Sequence, residues 1–267
     1  MSVDYLCIGA PRAGTTWFAL NFNAHPDVIS LPIKELRFFS DNPWTPDNKS
    51  RRITQLSAGK YFKDWYSDWF SKWQDSGTSI EDYQRLFNDI PVGIVGDNSP
   101  SYCACSPAQV RMAFEAVGDV PVFLFLRDPV ERDCSHIRFE SRNWRGSIAD
   151  NINKIRTLIS SKSMRNRSNY VRAIDNWSKY FDLTIFFFEE IQQEPTGVLS
   201  RAWRAVDADT SKNPEKTRNL TRHVNATPES SIPVPIVDEL RQLNKDTIIE
   251  TAARLGSYAE QWKEKHF

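Results

Sequence analysis

The stretch CIGAPRAGTTW, residues 7–17, decides how this chain is read. It follows a short apolar run, and Gly9 and Gly14 are separated by four residues. A short apolar segment stopped by glycine predicts a buried strand over residues 3–9. The segment 15–24 predicts a helix with Gly14 or Thr15 near its N-cap. Strand, glycine turn and helix together make a device for holding anions. Glycine lets backbone N–H groups curl around the ligand, and the helix N-terminus adds partial positive charge. In nucleoside triphosphatases a lysine follows the second glycine, and the next Ser or Thr binds magnesium. Here Thr15 stands in the lysine's place, and the only cation of the turn is Arg12.

Working outward, apolar strands alternate with helical segments. Strands are predicted over 91–95, 120–126 and 183–188. The run VPVFLFL, residues 120–126, is apolar on both faces, as a central parallel strand must be. Helices are predicted over 106–117, opening with Ser106 and Pro107, and over 128–139, 148–160, 169–180, 195–205 and 237–255. The segment 31–40 reads as loop and turn, the aromatics of 61–73 fall at helical spacing, and 207–235 reads as a long loop. The alternation implies a three-layer α/β domain with a central, mainly parallel sheet flanked by helices. With no repeat or linker, residues 1–267 read as a single domain.

Composition narrows the function classes. Lys+Arg and Asp+Glu are both 34, so the formal net charge is zero. A general nucleic-acid binder shows a basic excess instead. The four cysteines, Cys7, Cys103, Cys105 and Cys134, have neither metal-site nor disulfide-framework spacing and are expected as reduced thiols. No apolar run approaches the roughly 18 residues that span a membrane. The expectation is a cytoplasmic protein.

The second informative stretch is FLFLRDPVERDCSH, residues 123–136. An arginine at the carboxyl end of a central strand points into the crevice where α/β sheets bind ligands. Arg127 and Ser135 are placed to grip one phosphate, and Arg132 is expected as a surface ion-pair residue without a ligand role. No apolar run ending in the aspartate that would feed magnesium stands out in the chain, so the glycine turn is expected to hold a shorter anion without a metal, and a 5′-phosphosulfate fits. The bland alternative is a strand–helix junction and a capped helix with surface ion pairs.

These two segments resemble the cofactor motifs of the sulfotransferases that use 3′-phosphoadenosine 5′-phosphosulfate (PAPS). HPDVISLPIKELRFFS (25–40), GKYFKDWYSDWF (59–70), VGDNSPSY (95–102) and FFFEEIQQEP (186–195) are similar, in the same order, to blocks of the carbohydrate and heparan-type members. The likeness runs over residues 3–262. It implies transfer of a sulfuryl group to a hydroxyl or amine of a small-molecule or glycan acceptor. It implies that Arg12, Ala13, Gly14, Thr15, Thr16 and Trp17 form the 5′-phosphosulfate loop. Arg127 and Ser135 would hold the 3′-phosphate. The segment 216–230 would close over it, with Arg222 chosen among Arg218, Arg222 and His223. Glu35 takes the position of the catalytic base and Arg12 that of the cation on the leaving group; arginine stays protonated and cannot be a general acid. The bland alternative for Glu35 is a surface pair with Lys34. His136 is the runner-up base. Asn98 stands where the heparan-type enzymes have a lysine, and Asp97 either orients an active-site cation or is a solvated turn residue. Glu189 is expected to cap a helix, and His25 to end the first one. A phosphate-loop kinase or nucleoside triphosphatase, and a nucleotide-binding protein without catalysis, are the alternatives.

Overall fold

The computed structural model describes residues 3–57, 63–212, 220 and 231–267. Five parallel strands form one sheet: β1 (Tyr5–Gly9), β2 (Val28–Ile29), β3 (Ile94–Asn98), β4 (Val122–Leu126) and β5 (Leu183–Phe187). Their order is β2-β3-β1-β4-β5. Between β1 and β3 lie α1 (Thr15–Phe22), α2 (Pro46–Ser57), α3 (Tyr66–Asp75) and α4 (Ile80–Arg85). After β3 come a 3₁₀ turn (Pro100–Ala104) and α5 (Pro107–Val117); after β4 come α6 (Pro129–Ser141), α7 (Ile152–Ser160), α8 (Lys162–Ser168) and α9 (Tyr170–Trp177). The chain closes with α10 (Phe188–Gln193), α11 (Pro195–Ala205), α12 (Val234–Leu255) and α13 (Ser257–His266).

The all-apolar β4 lies between β1 and β5, and all five of its residues are fully buried. Strands covered on both faces need apolar residues at every position. Phe123 and Phe125 pack on Phe18 of α1 and on Phe186 of β5. Ser106 accepts from the N–H of Gln109, whose side chain accepts from the N–H of Ser106, so the N-terminus of α5 is a capping box. The four cysteines are buried free thiols.

Several boundaries move. β3 begins three residues later than the apolar run 91–95 suggests and ends in the polar Gly96-Asp97-Asn98. α1 stops at Phe22, and His25 lies beyond it, buried against Trp203. Helices α2, α4 and α8 were not expected. Sheet order is what builds the site. β3, β1 and β4 are neighbours and run the same way, so the segments leaving their carboxyl ends meet at one edge. Those segments begin with Ser99, Ala10 and Arg127.

Candidate active site

The turn leaving β1 is built on two glycines whose conformations exclude a side chain. Gly9 has φ +142°, and a Cβ there would lie 2.5 Å from the Pro100 carbonyl oxygen. Gly14 has φ +94°, and its Cβ would meet Ile191 Cδ1 at 2.6 Å. Gly14 is the N-cap of α1; it offers no side-chain cap, and the first turn holds no acidic residue. The first-turn N–H groups, which have no partner within a helix, therefore keep their pull on an anion. Thr15 and Trp17 are buried, with Thr16 half-buried between them. Trp17 Nε1 donates to the carbonyl of Leu220 at 3.0 Å, which sets that residue beside α1. Arg222, together with Arg218 and His223, lies outside the described residues.

One flank of the turn faces α6 and is rich in arginine. Arg12 Nε donates to Ser135 Oγ at 3.1 Å, and Arg127 Nη1 donates to the Arg12 carbonyl at 3.3 Å. Arg127 also stacks over the Phe188 ring at 4.5 Å. The structure thus brings Arg12, Arg127 and Ser135 together. Burial, then Arg142, Arg127 and Arg132, push the Arg12 guanidinium down to about 10. Cations gathered closely enough to depress the Arg12 guanidinium suit a site that stabilises an anion. Arg132 is not a surface residue. It is fully buried, paired with Asp133, hydrogen-bonded to Ser168 Oγ at 2.8 Å, and donates to the Pro11 carbonyl at 3.3 Å. A guanidinium can be buried there because a carboxylate and two oxygens satisfy it, and it braces the turn from beneath. His136 is buried near Arg132, Arg167 and Arg12, and burial with those charges pushes its imidazole down to about 3. An imidazole held so low is a poor proton acceptor.

The other flank is the segment 34–38, which crosses the carboxyl end of β3. Four consecutive N–H groups are tied down there. Glu35 N–H donates to the Asn98 carbonyl at 2.9 Å. Leu36 N–H donates to the Asp97 carboxylate. Arg37 N–H donates to Ser99 Oγ at 3.0 Å, and Phe38 N–H to Tyr102 Oη at 2.9 Å. Ser99 and Tyr102 in turn donate to Asp97 at 2.6 and 2.7 Å, and Tyr83 does so at 3.3 Å. Asp97 is therefore not a solvated turn residue, and among the described residues it forms no ion pair; it is a fully buried hub. Burial pushes its carboxyl up to about 6, against these donors, which favour the charged form. The clamp holds Glu35 and Arg37 at φ 69° and 57°. Side chains rarely take this left-handed region, which costs about 1 kcal/mol or more per residue.

That conformation sets the side chains. Glu35 accepts from Arg37 Nη2 at 2.8 Å, and Trp44 Nε1 donates to the Glu35 carbonyl at 2.7 Å. The Lys34–Glu35 contact is present but long, at 3.9 Å. The Lys34 ammonium is instead turned onto the glycine-turn helix, donating to Thr16 Oγ1 at 3.0 Å. The sequence reading missed this residue. The signal that could have found it is the vacancy itself: a turn without its lysine invites a search for a cation from another segment. Asn98 turns its side chain away, donating to Tyr5 Oη at 3.1 Å. Phe38 and Phe39 pack on Tyr83, and Phe39 also on Tyr102, as core residues. Glu189 does not cap α10. Glu190 accepts from the Phe187 N–H at 3.0 Å, while Glu189 accepts from Trp262 Nε1 at 2.8 Å. No described helix is long and apolar enough to cross a membrane.

No family model matches the chain, and a search of curated proteins finds no match. Solved structures do match. A sulfotransferase from Alicyclobacillus acidocaldarius superposes with a TM-score of 0.65 at 18% identity, over 98% of this chain and 99% of its own. The sulfotransferase domain from the curacin biosynthetic pathway gives 0.53 at 12% identity, over 92% of this chain and 97% of its own. That of the Synechococcus PCC 7002 olefin synthase gives 0.51 at 16% identity, over 93% and 94%. Sheet order, glycine turn and chain coverage agree on one conclusion: this chain has the sulfotransferase fold over nearly its whole length.

Proposed function

We propose that the protein moves a sulfuryl group from PAPS to a hydroxyl or amine of an acceptor, a carbohydrate or glycosylated molecule being the first candidate. The observation that carries this reading is the placement of Glu35. A clamped carboxylate stands beside a glycine turn whose opposite flank carries Arg12, Arg127 and Ser135. In this reading Arg127 and Ser135 hold the 3′-phosphate, while residues 12–17 hold the 5′-phosphosulfate through backbone N–H groups, the threonine hydroxyls and the Arg12 charge. Glu35 accepts the proton that the attacking hydroxyl loses. The acceptor attacks sulfur in line and displaces PAP, whose former bridging oxygen keeps the electron pair. Arg12 supports that oxygen by charge-assisted hydrogen bonding.

The kinase reading is weaker for a structural reason. Thr16 stands where a nucleoside triphosphatase presents its magnesium-binding hydroxyl, and here that hydroxyl already takes an ammonium hydrogen bond at 3.0 Å. The test is a binding and turnover panel. 3′-Phosphoadenosine 5′-phosphate (PAP) is expected to stabilise the protein against heat, AMP less, and ATP with magnesium least. PAPS-dependent sulfation is expected to persist in excess chelator. Preference for ATP with magnesium would restore the kinase reading.

A further inference from the structure

Resting on that reading, we infer that Lys34 is a catalytic cation of the transfer, supplying from a separate loop the charge that the glycine turn lacks. Its ammonium lies 3.0 Å from Thr16 Oγ1, inside the first turn of α1, where the sulfuryl end of a donor seated on the turn must lie. The same ammonium is 3.9 Å from Glu35 Oε1. One loop therefore presents the base and a cation side by side. The Arg12 guanidinium is engaged at Ser135, on the opposite flank. In this reading the two cations reach the bridging oxygen from opposite flanks of the turn.

The Lys34–Glu35 contact is long for an ion pair, and the two side chains are 27% and 32% exposed. Such a pair opens readily to admit a group between its members. During transfer the acceptor oxygen forms its bond to sulfur and its proton passes to Glu35. The bond from sulfur to the bridging oxygen breaks, and the electron pair stays on that oxygen as the 5′-phosphate of PAP. Lys34 donates a hydrogen bond to the charge growing there and remains protonated; the proton on Glu35 leaves to solvent. The rest of the clamp serves this geometry, since Leu36 and Arg37 are fixed through Asp97 and Ser99.

The groups facing Lys34 make its titration legible. From its own loop they are Glu35 and, behind it, Arg37; from β1 it is Cys7, whose thiol burial pushes up to about 12; from β3 it is the Asp97 hub, in range of that thiol. Burial holds the ammonium below its ordinary value of 10.5, with Glu35 and Cys7 opposing.

The experiment measures PAP affinity and turnover in the full chain with Lys34→Met and Lys34→Arg. Loss of one donor to a developing oxyanion slows a reaction by about 10²–10³. Lys34→Met is expected to slow turnover by roughly that factor, and to weaken PAP, whose 5′-phosphate keeps the oxygen that Lys34 contacts, by clearly less than the loss in turnover. Lys34→Arg is expected to recover part of the rate and to lose the alkaline fall in kcat/KM expected of wild type below 10.5, because arginine does not titrate there. Near-normal turnover in Lys34→Met, an equal loss of PAP binding, or an unchanged alkaline fall in Lys34→Arg would overturn the assignment. Wild-type protein that neither binds PAP nor consumes PAPS would instead overturn the reading on which it rests.

Discussion

The two flanks of the glycine turn are built on different principles. On the α6 side, Arg12, Arg127 and Ser135 meet through side chains, and like charges crowd together. On the β3 side the backbone itself is fixed. Four N–H groups in a row are held by Asn98, Asp97, Ser99 and Tyr102, with one buried carboxylate at the hub. Charge gathered on one flank suits grip on a bound anion. Geometry enforced on the other suits a base that must meet one proton at one place. In the proposed reading the difference makes binding and chemistry separable, and mutations should separate them.

The sharpest break comes at Glu35. Glu35→Gln keeps the shape and removes the charge. It is expected to slow turnover by roughly 10²–10⁴, the range for a positioned base, with PAP affinity unchanged by calorimetry. A mutant that turns over normally on a true acceptor would return Glu35 to a merely structural place beside Arg37.

Next is the hub. Asp97→Ala leaves the Ser99, Tyr102 and Tyr83 hydroxyls and the Leu36 N–H without their shared acceptor. An unsatisfied buried polar group costs about 1–3 kcal/mol, so a loss of about 4 kcal/mol is expected even with some repair. For a chain of this size that lowers Tm by roughly 8–16 °C. Thermal denaturation checks it, and a Tm within about 2 °C of wild type would mean that the clamp holds nothing.

The same carboxyl predicts a pH signature. Its folded value is raised to about 6 from 3.8. A raised carboxyl binds its proton more tightly in the folded than in the unfolded state. Its contribution to stability is therefore full below about 4 and declines as pH rises through 6, by roughly 3 kcal/mol at 1.36 kcal/mol per unit. Subtracting the stability profile of Asp97→Asn from that of wild type isolates this slope. A flat difference between pH 4 and 7 would show that the four donors fully offset burial.

The smallest effect is expected on the arginine flank. Arg127→Ala removes one charge-assisted contact, worth about 1.5–3 kcal/mol, so PAP should bind about ten- to a hundredfold more weakly. Turnover at saturating donor should barely change. Equal affinity in mutant and wild type, or a fall in kcat as large as that of Glu35→Gln, would erase the contrast between the flanks.

What could be read before folding was local. The run VFLFL of β4, the Ser106-Pro107 start of α5 and the two glycines of the turn are short-range patterns, and each fell where it was expected. Helices α2, α4 and α8 escaped notice because α2 is polar along most of its length and the other two are six and seven residues long. A short or mostly solvated helix buries too little to leave a periodic stripe.

The sequence by itself determined that a glycine turn would follow β1 and that an arginine would follow β4, because both are carried by residues adjacent along the chain. Only the tertiary structure decided what surrounds them. Sheet order placed β3 beside β1, which put Asn98, Asp97 and Ser99 under residues 35–37 and turned the Lys34 ammonium onto Thr16, eighteen residues away in sequence. The positive φ of Glu35 and Arg37 runs against the local preference of both residues. It exists because a buried carboxylate from a neighbouring strand and the hydroxyls it organises satisfy three N–H groups, and the Asn98 carbonyl a fourth.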